Sequence, residues 1–217
     1  MEKIVKQYFQ KYQEYLKSSK PNLDAFYRGI KDFFGDIDYD IFTSIITEEL
    51  YKPLKGDILS HMSYIPEFFM KNNPDIYGIE IPPSIKEWRN GAFWDCSNLT
   101  TVTFNNKVLS IIGDGAFHGC SRLDDVIIPY NITTIAKCAF EDCYSLTAIK
   151  FNEGLKSIDN YAFDRCKNLT EFTLPKSLNY IGYKALPCGP GVTTSVYRYT
   201  DAHIWAVKND CKINFLD

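Results

Sequence analysis

Four cysteines recur at one position of a repeated segment, and by residue type they could supply the four thiolates of a zinc site. Cys96, Cys120, Cys143 and Cys166 follow one another at almost equal spacing. A structural zinc ion needs four ligands that converge tetrahedrally, with Zn–S distances of about 2.3 Å. A residue that occurs once per repeat instead gives a line of side chains along the repeat axis. The pattern therefore predicts small buried thiols and no zinc ion.

An acidic segment near the N-terminus resembles the opening of a calcium-binding loop. It contains Asp36, Asp38 and Asp40 at alternate positions. Such a loop requires Gly at its sixth position and Glu at its twelfth. This chain has Ile41 and Thr47 at those positions. We interpret the aspartates as helix caps and turn residues.

The histidines and the known catalytic motifs give no further candidate chemistry. His61, His118 and His203 form neither a metal-binding spacing nor an obvious dyad. The chain has no nucleophile elbow, no phosphate-binding glycine loop and no zinc-protease motif. We therefore expect no catalytic residue, no metal ion and no cofactor, and we predict that the protein is not an enzyme.

A repeated segment, whose period of about 23 residues lies in the range of solenoid repeats, must position all of these side chains. The segment 91–99 (GAFWDCSNL) returns at 115–123, 138–146 and 161–169, and a final copy breaks off at 184–188. Its Ala-Phe pair begins at positions 92, 116, 139 and 162, and the alanine alone returns at 185. A degenerate first copy has Ile65 at the isoleucine position and Phe69-Met70 in place of Ala-Phe. A fixed period of this length predicts a solenoid, whose terminal repeats are atypical because they cap it.

Each repeat also contains a short segment in which apolar residues alternate, which indicates a β-strand. Proline follows three of these segments, at positions 82, 129 and 175, and is expected to end them. Successive strands should stack about 4.8 Å apart in one parallel sheet. The predicted inward residues are Val102, Phe104, Val126, Ile128, Ile149, Phe151, Phe172 and Leu174.

The repeat resembles that of a known family. Over residues 60–188 the pattern Leu-x-x-Ile-x-Ile-Pro, followed by Leu-x-x-Ile-x-x-x-Ala-Phe-x-x-Cys, is similar to the BspA-like branch of the leucine-rich repeat proteins. The resemblance implies an α+β fold: a right-handed, curved solenoid with a parallel sheet on its concave side. It also implies that this side binds other macromolecules.

The flanking segments predict two caps. Apolar residues at helical spacing indicate three helices at about 2–18, 22–34 and 38–52, which form an N-terminal helical domain at 1–57. The solenoid follows at 58–188. The tail, 189–217, is expected to form a C-terminal cap of strand, helix and strand.

Composition and charge limit the partners and the compartment. The 217 residues include 45% hydrophobic and 24% charged residues, with a formal net charge of −3. Nucleic-acid binding is not expected, because it would require a basic surface stripe. No run is long enough to span a bilayer, and the N-terminus shows no secretory signal. We therefore expect a cytoplasmic protein whose seven cysteines are free thiols.

The outward strand positions are the candidate partner-binding residues, because the repeat does not dictate their identity. Other candidates are the helical domain and the aromatic residues Trp94, Tyr130 and Tyr144 on the turns. The predicted partner-binding residues are Glu80, Thr101, Thr103, Asp125, Ile127, Lys150, Glu171 and Thr173.

We therefore predict a non-catalytic module that binds a protein partner. An alternative is an intracellular inhibitor or regulator of a host protein, of the kind that a phage or mobile element encodes against host defence. A further alternative is a fragment of a surface adhesin. The identity of the partner and the oligomeric state stay open.

Overall fold

The structure of the protein is a computed structural model, and it describes residues 59, 63–65, 67 and 69–216. The three predicted N-terminal helices, the acidic segment at 36–40 and His61 lie outside the described residues. Within the described part, no helix is both long and apolar enough to cross a membrane.

The described chain forms thirteen short strands and one helix. The helix, α1, spans Asp201–Lys208. The strands in chain order are β1 Tyr64–Ile65, β2 Gly78–Ile81, β3 Glu87–Trp88, β4 Thr101–Phe104, β5 Ile111–Ile112, β6 Asp125–Ile127, β7 Thr134–Ile135, β8 Ala148–Lys150, β9 Ser157–Ile158, β10 Glu171–Thr173, β11 Tyr180–Ile181, β12 Thr193–Val196 and β13 Lys212–Phe215.

The strands form parallel ladders on two sides of each coil, so the prediction of a single sheet is wrong. One side carries β2-β4-β6-β8 and, beyond a break in pairing, β10-β12-β13. The other side carries β1-β3 and β5-β7-β9-β11. No strand was predicted from the sequence around the isoleucine that recurs once per coil before the Ala-Phe turn. Ile112, Ile135 and Ile158 in fact lie opposite one another in successive two-residue strands.

A single column of stacked phenylalanines fills the space between the two sides. Phe93, Phe117, Phe140 and Phe163 stack face to face, with centroids 5.5, 5.3 and 5.1 Å apart. All four rings are fully buried. The inward strand residues predicted from the alternation pack around them; Phe104 is partly buried and the other seven are buried. These inward positions are therefore confirmed.

The turns are held in the same register as the strands. The backbone N–H of each stacked phenylalanine donates to the alanine carbonyl of the next coil, as from Phe117 to Ala139 at 2.8 Å. Two residues of the turn have positive φ in every full coil: in the third they are Cys138 at 56° and Asp142 at 61°. Their N–H groups also donate to the next coil, to Asn160 and Asp164. The left-handed conformation thus aims turn N–H groups at the next coil.

The tail forms a strand, a helix and a strand in that order. Strands β12 and β13 extend the first side of the solenoid, while α1 lies beside β11 at the end of the second side. Thr200 caps the N-terminus of helix α1, and its side-chain oxygen accepts from the N–H of His203 at 3.2 Å. Ala202 and Ala206 are buried and allow the helix to approach the last coil closely.

The phenylalanine column predicts a large effect of a single truncation. Replacement of Phe140 by Ala removes a buried ring from the middle of the column and leaves a cavity between two coils. Such a change costs about 3–5 kcal/mol of unfolding free energy. Urea unfolding should show this loss, whereas Tyr130→Ala, which truncates an exposed ring, should change stability by less than about 0.5 kcal/mol. Equal effects of the two variants would contradict the column as the centre of the core.

Candidate functional site

The predicted partner-binding residues all lie on one exposed surface of the first side of the solenoid, which we call the strand face. Every one of them is exposed, while the residues between them in the strands are buried or partly buried. The strand face consists of Glu80, Thr101, Thr103, Asp125, Ile127, Ala148, Lys150, Glu171 and Thr173.

The pairing register arranges the strand face in rows that run across the coils. Glu80 lies opposite Thr103, and Ile127 lies opposite Lys150. The rows are interrupted between β8 and β10, which are in contact but belong to separate ladders. Glu171 and Thr173 therefore belong to the far side of this break.

The strand face is polar and more acidic than basic. It holds three carboxylates and one ammonium group. Ile127 is its most exposed large apolar residue, with 57% of its surface accessible. The carboxylate of Glu80 already accepts a hydrogen bond from the Asn105 side chain at 2.8 Å. The face lacks the aromatic anchors that dominate many protein interfaces.

The three aromatic turn residues that are also candidates for partner binding differ in their exposure and contacts. Tyr130 is 64% exposed and follows the strand β6. Trp94 is only partly exposed, because its ring lies against the His118 ring with centroids 4.0 Å apart. Tyr144 is 42% exposed, and its hydroxyl donates to Asp142 Oδ1 at 2.7 Å. Two of the three thus belong to one polar group on the turns.

That polar group, which we call the turn cluster, consists of Trp94, His118, Glu141, Asp142, Tyr144 and Arg165. His118 lies between two carboxylates, with Nδ1 3.5 Å from Glu141 Oε2 and Nε2 3.8 Å from Asp142 Oδ2. Its Nδ1 atom is buried and has no hydrogen-bond partner. Arg165 Nη2 lies 2.6 Å from Glu141 Oε1 and 2.7 Å from Asp142 Oδ2.

The charges of the turn cluster shift the ionisation of its exposed members. The hydrogen bond to Glu141 raises the pKa of the Arg165 guanidinium, which therefore stays charged. The hydrogen bond to Asp142 raises the pKa of the Tyr144 hydroxyl. His118, Glu141 and Asp142 together place three possible ligand atoms within 4.8 Å of one another.

This cluster was not predicted from the sequence, because the three histidines were compared only with one another. His118 and Glu141 occupy the same turn position in successive coils, and Asp142 follows Glu141. Parallel stacking brings such residues side by side. A comparison of each turn residue with the residue one period later would have found the group.

The four repeated cysteines form a column of buried thiols, each bonded to a neighbouring coil. Their S–H groups donate to carbonyls 26 or 27 residues earlier, at 3.0–3.3 Å, as from Cys143 to Phe117. Burial raises the pKa of Cys96 and Cys166 to about 12. It raises those of Cys120 and Cys143 well above the ordinary value. The column runs along the solenoid and does not converge on one point.

Comparisons with known proteins agree with this architecture. A family model described as "BspA type Leucine rich repeat region" matches residues 54–111 and 106–189 in six copies. A leucine-rich repeat protein from Eubacterium ventriosum ATCC 27560 is 26% identical, with a TM-score of 0.55, over 60% of this chain and 37% of its own. The T. pallidum leucine-rich repeat protein is 28% identical, with a TM-score of 0.52, over 56% of this chain and 58% of its own.

The match therefore spans less than two thirds of the length of either solved structure. No curated protein matches the chain significantly.

The thiol column predicts a loss of stability at high pH. Above pH 9 the unfolded chain loses protons from these thiols, whereas the folded chain retains them because burial raises their pKa values, in two cases to about 12. The unfolding free energy then falls by up to about 1.4 kcal/mol per pH unit for each thiol. In the Cys143→Ala variant, the decrease of the unfolding free energy with pH between pH 9 and 11 should be smaller by this amount per pH unit. Urea unfolding at a series of pH values measures it. Ala139→Gly, a destabilising change in the same coil that removes no thiol, should keep the wild-type slope.

Proposed function

Since the chain belongs to the BspA-type leucine-rich repeat family, we propose that it is a non-catalytic module that binds a protein partner through the strand face. Proteins of this family are generally binding modules rather than enzymes. Membership of the family supports protein interaction or adhesion as the general function of the chain. Family membership does not identify the binding surface or the partner, and both the strand face and a single protein partner are part of the proposal.

The observation that carries this proposal is the contrast between the two faces of each first-side strand. The buried positions repeat the same residue types from coil to coil, and they fix the backbone through the stacked core. The exposed positions change in each coil, from Thr103 to Ile127 to Lys150. A rigid backbone that presents variable side chains in register provides a surface whose specificity can change without loss of the fold.

The charges of the strand face indicate the chemistry of the partner. Glu80, Asp125 and Glu171 are acidic, and Lys150 is the basic member. We expect a partner surface that is polar and more basic than acidic, with an apolar group for Ile127. Charge complementarity of this kind affects mainly the association rate and the specificity. Binding should therefore weaken as salt is raised.

The two alternative functions, an inhibitor or regulator and a surface adhesin, would use the same strand face but act in different compartments. An inhibitor or regulator acts in the cytoplasm, as the sequence analysis expects, while an adhesin acts at the cell surface. Fractionation of cells that express the protein at its natural level, followed by immunodetection, separates the two. Recovery in the soluble fraction supports the first alternative, and recovery with the cell envelope supports the second.

A double substitution tests the strand face directly. Thr103→Arg with Lys150→Glu changes two exposed residues on separate strands and should leave the core intact. We expect it to weaken binding by at least about tenfold, since disruption of a central hot-spot contact costs about 2 kcal/mol or more and tenfold corresponds to about 1.4 kcal/mol. The partner is first captured by a photo-crosslinking residue at position 103 and identified by mass spectrometry. Affinity for the purified partner is then measured.

The matched control makes the same kind of change on the other side of the solenoid. Ser110→Arg with Lys156→Glu alters the net charge equally, at two exposed residues that precede strands β5 and β9. This variant should bind as the wild type does. If the control loses affinity and the strand-face variant retains it, the binding surface lies elsewhere.

A further inference from the structure

The turn cluster has the composition and spacing of an incomplete metal site that joins two adjacent coils. His118 supplies an imidazole nitrogen, and Glu141 and Asp142 of the next coil supply carboxylate oxygens. In a tetrahedral zinc site with ligands at about 2.0–2.2 Å, neighbouring ligand atoms lie roughly 3.3–3.6 Å apart. The 3.5 Å separation of His118 Nδ1 and Glu141 Oε2 falls in this range.

In each carboxylate a neighbour holds one oxygen and the other oxygen lies near His118; in Asp142 this second oxygen also contacts Arg165. Arg165 holds Oε1 of Glu141 at 2.6 Å, so that Oε2 faces the imidazole. Tyr144 holds Oδ1 of Asp142 at 2.7 Å, and Oδ2 lies 3.8 Å from His118 Nε2. One ligand atom from each of the three residues lies within 4.8 Å of the other two. Hydrogen bonds of this kind orient the carboxylate ligands of metal ions in proteins.

The imidazole is fixed in place but lacks a partner for one nitrogen. Its ring lies against Trp94, and its side chain is 16% exposed. The Nδ1 atom is buried without a hydrogen bond, which is unfavourable when nothing compensates for it. A bound cation at Nδ1 would satisfy this atom. The imidazole also favours a transition metal over Ca²⁺ or Mg²⁺, which prefer oxygen ligands.

Arg165 competes with such a cation. Its guanidinium lies 2.7 Å from Asp142 Oδ2, one of the oxygens that the metal would use. The side chain is 49% exposed and can therefore move towards solvent. A positive charge at this distance lowers the affinity for a second cation. Removal of the Arg165 charge should consequently tighten metal binding, although it would weaken a cluster that served only as an ion-pair network.

We propose that His118, Glu141 and Asp142 bind a divalent transition-metal ion of the Zn²⁺ class, and that Arg165 limits the affinity of this site. The ion links the turns of two adjacent coils. A tetrahedral ion with three protein ligands keeps a fourth position for water or for a partner's side chain. The site is independent of the strand face.

The test is a titration of the full-length, chelator-treated protein with Zn²⁺, followed by calorimetry, with Co²⁺ as a spectroscopic probe. A Cys188→Ser background removes an exposed thiol that could bind metal. We expect His118→Gln and Asp142→Asn each to weaken binding by roughly 100-fold or more, since loss of a ligand exceeds the 10–100-fold effect of an outer partner. Arg165→Gln should tighten binding about tenfold.

Asp95→Asn is the matched control, because Asp95 occupies the same turn position as Asp142 in another coil and also has a positive φ. It makes the same charge change and should leave the affinity unchanged. The Co²⁺ spectrum should lack a sulfur-to-cobalt charge-transfer band. The proposal is overturned if the protein does not bind Zn²⁺, or if His118→Gln and Asp142→Asn keep the wild-type affinity for Zn²⁺. It is also overturned if Arg165→Gln does not raise that affinity. Far-ultraviolet circular dichroism and cooperative unfolding verify that each variant is folded.

Discussion

Hydrogen bonding between coils at the Ala-Phe turn is the constraint on which the rest of this structure depends. Solenoid proteins pair their strands, but here the turns pair as well, through residues with positive φ that aim N–H groups at the next coil. Backbone groups must be paired when they are buried. A coil whose turn fell out of register would leave several such groups without partners and would separate the phenylalanine rings. This explains why successive full coils keep an almost constant period.

The same constraint explains why small residues occupy the positions beside the phenylalanine column. Alanine precedes each ring where the backbones of two turns approach, and it is fully buried in every full coil. Cysteine follows at a position that needs a small side chain able to donate to a neighbouring carbonyl. In the degenerate first coil Asn73 takes this position, and its amide is buried. The four repeated cysteines are therefore structural donors to the backbone of a neighbouring coil.

The sequence predicted the buried and exposed positions of each coil and missed two features that appear only when coils are stacked. Alternation within a coil identified the buried strand residues, such as Val126 and Ile128, and the exposed residues of the strand face. The second side of the solenoid was missed because its two-residue strands are too short to show alternation. The turn cluster was missed because His118 and Glu141 are distant in sequence and adjacent only after stacking. Neither relation is visible in a single coil.

Stacking of this kind also determines where function can arise in such a chain. A residue that differs from its equivalents one period away meets them side by side, so each surface position becomes one row across the coils. On the strand face the rows contain mostly polar side chains that are spread over several coils. On the turns the row of Trp94, His118, Glu141 and Asp164 changes type at every step, and so does the adjacent row of Asp95, Gly119, Asp142 and Arg165. Opposite charges and a ring nitrogen are thereby concentrated within a few ångströms, which suits a small cation better than an extended partner. The strand face and the turn cluster pack on the same core but have no side chain in common. They can therefore change independently.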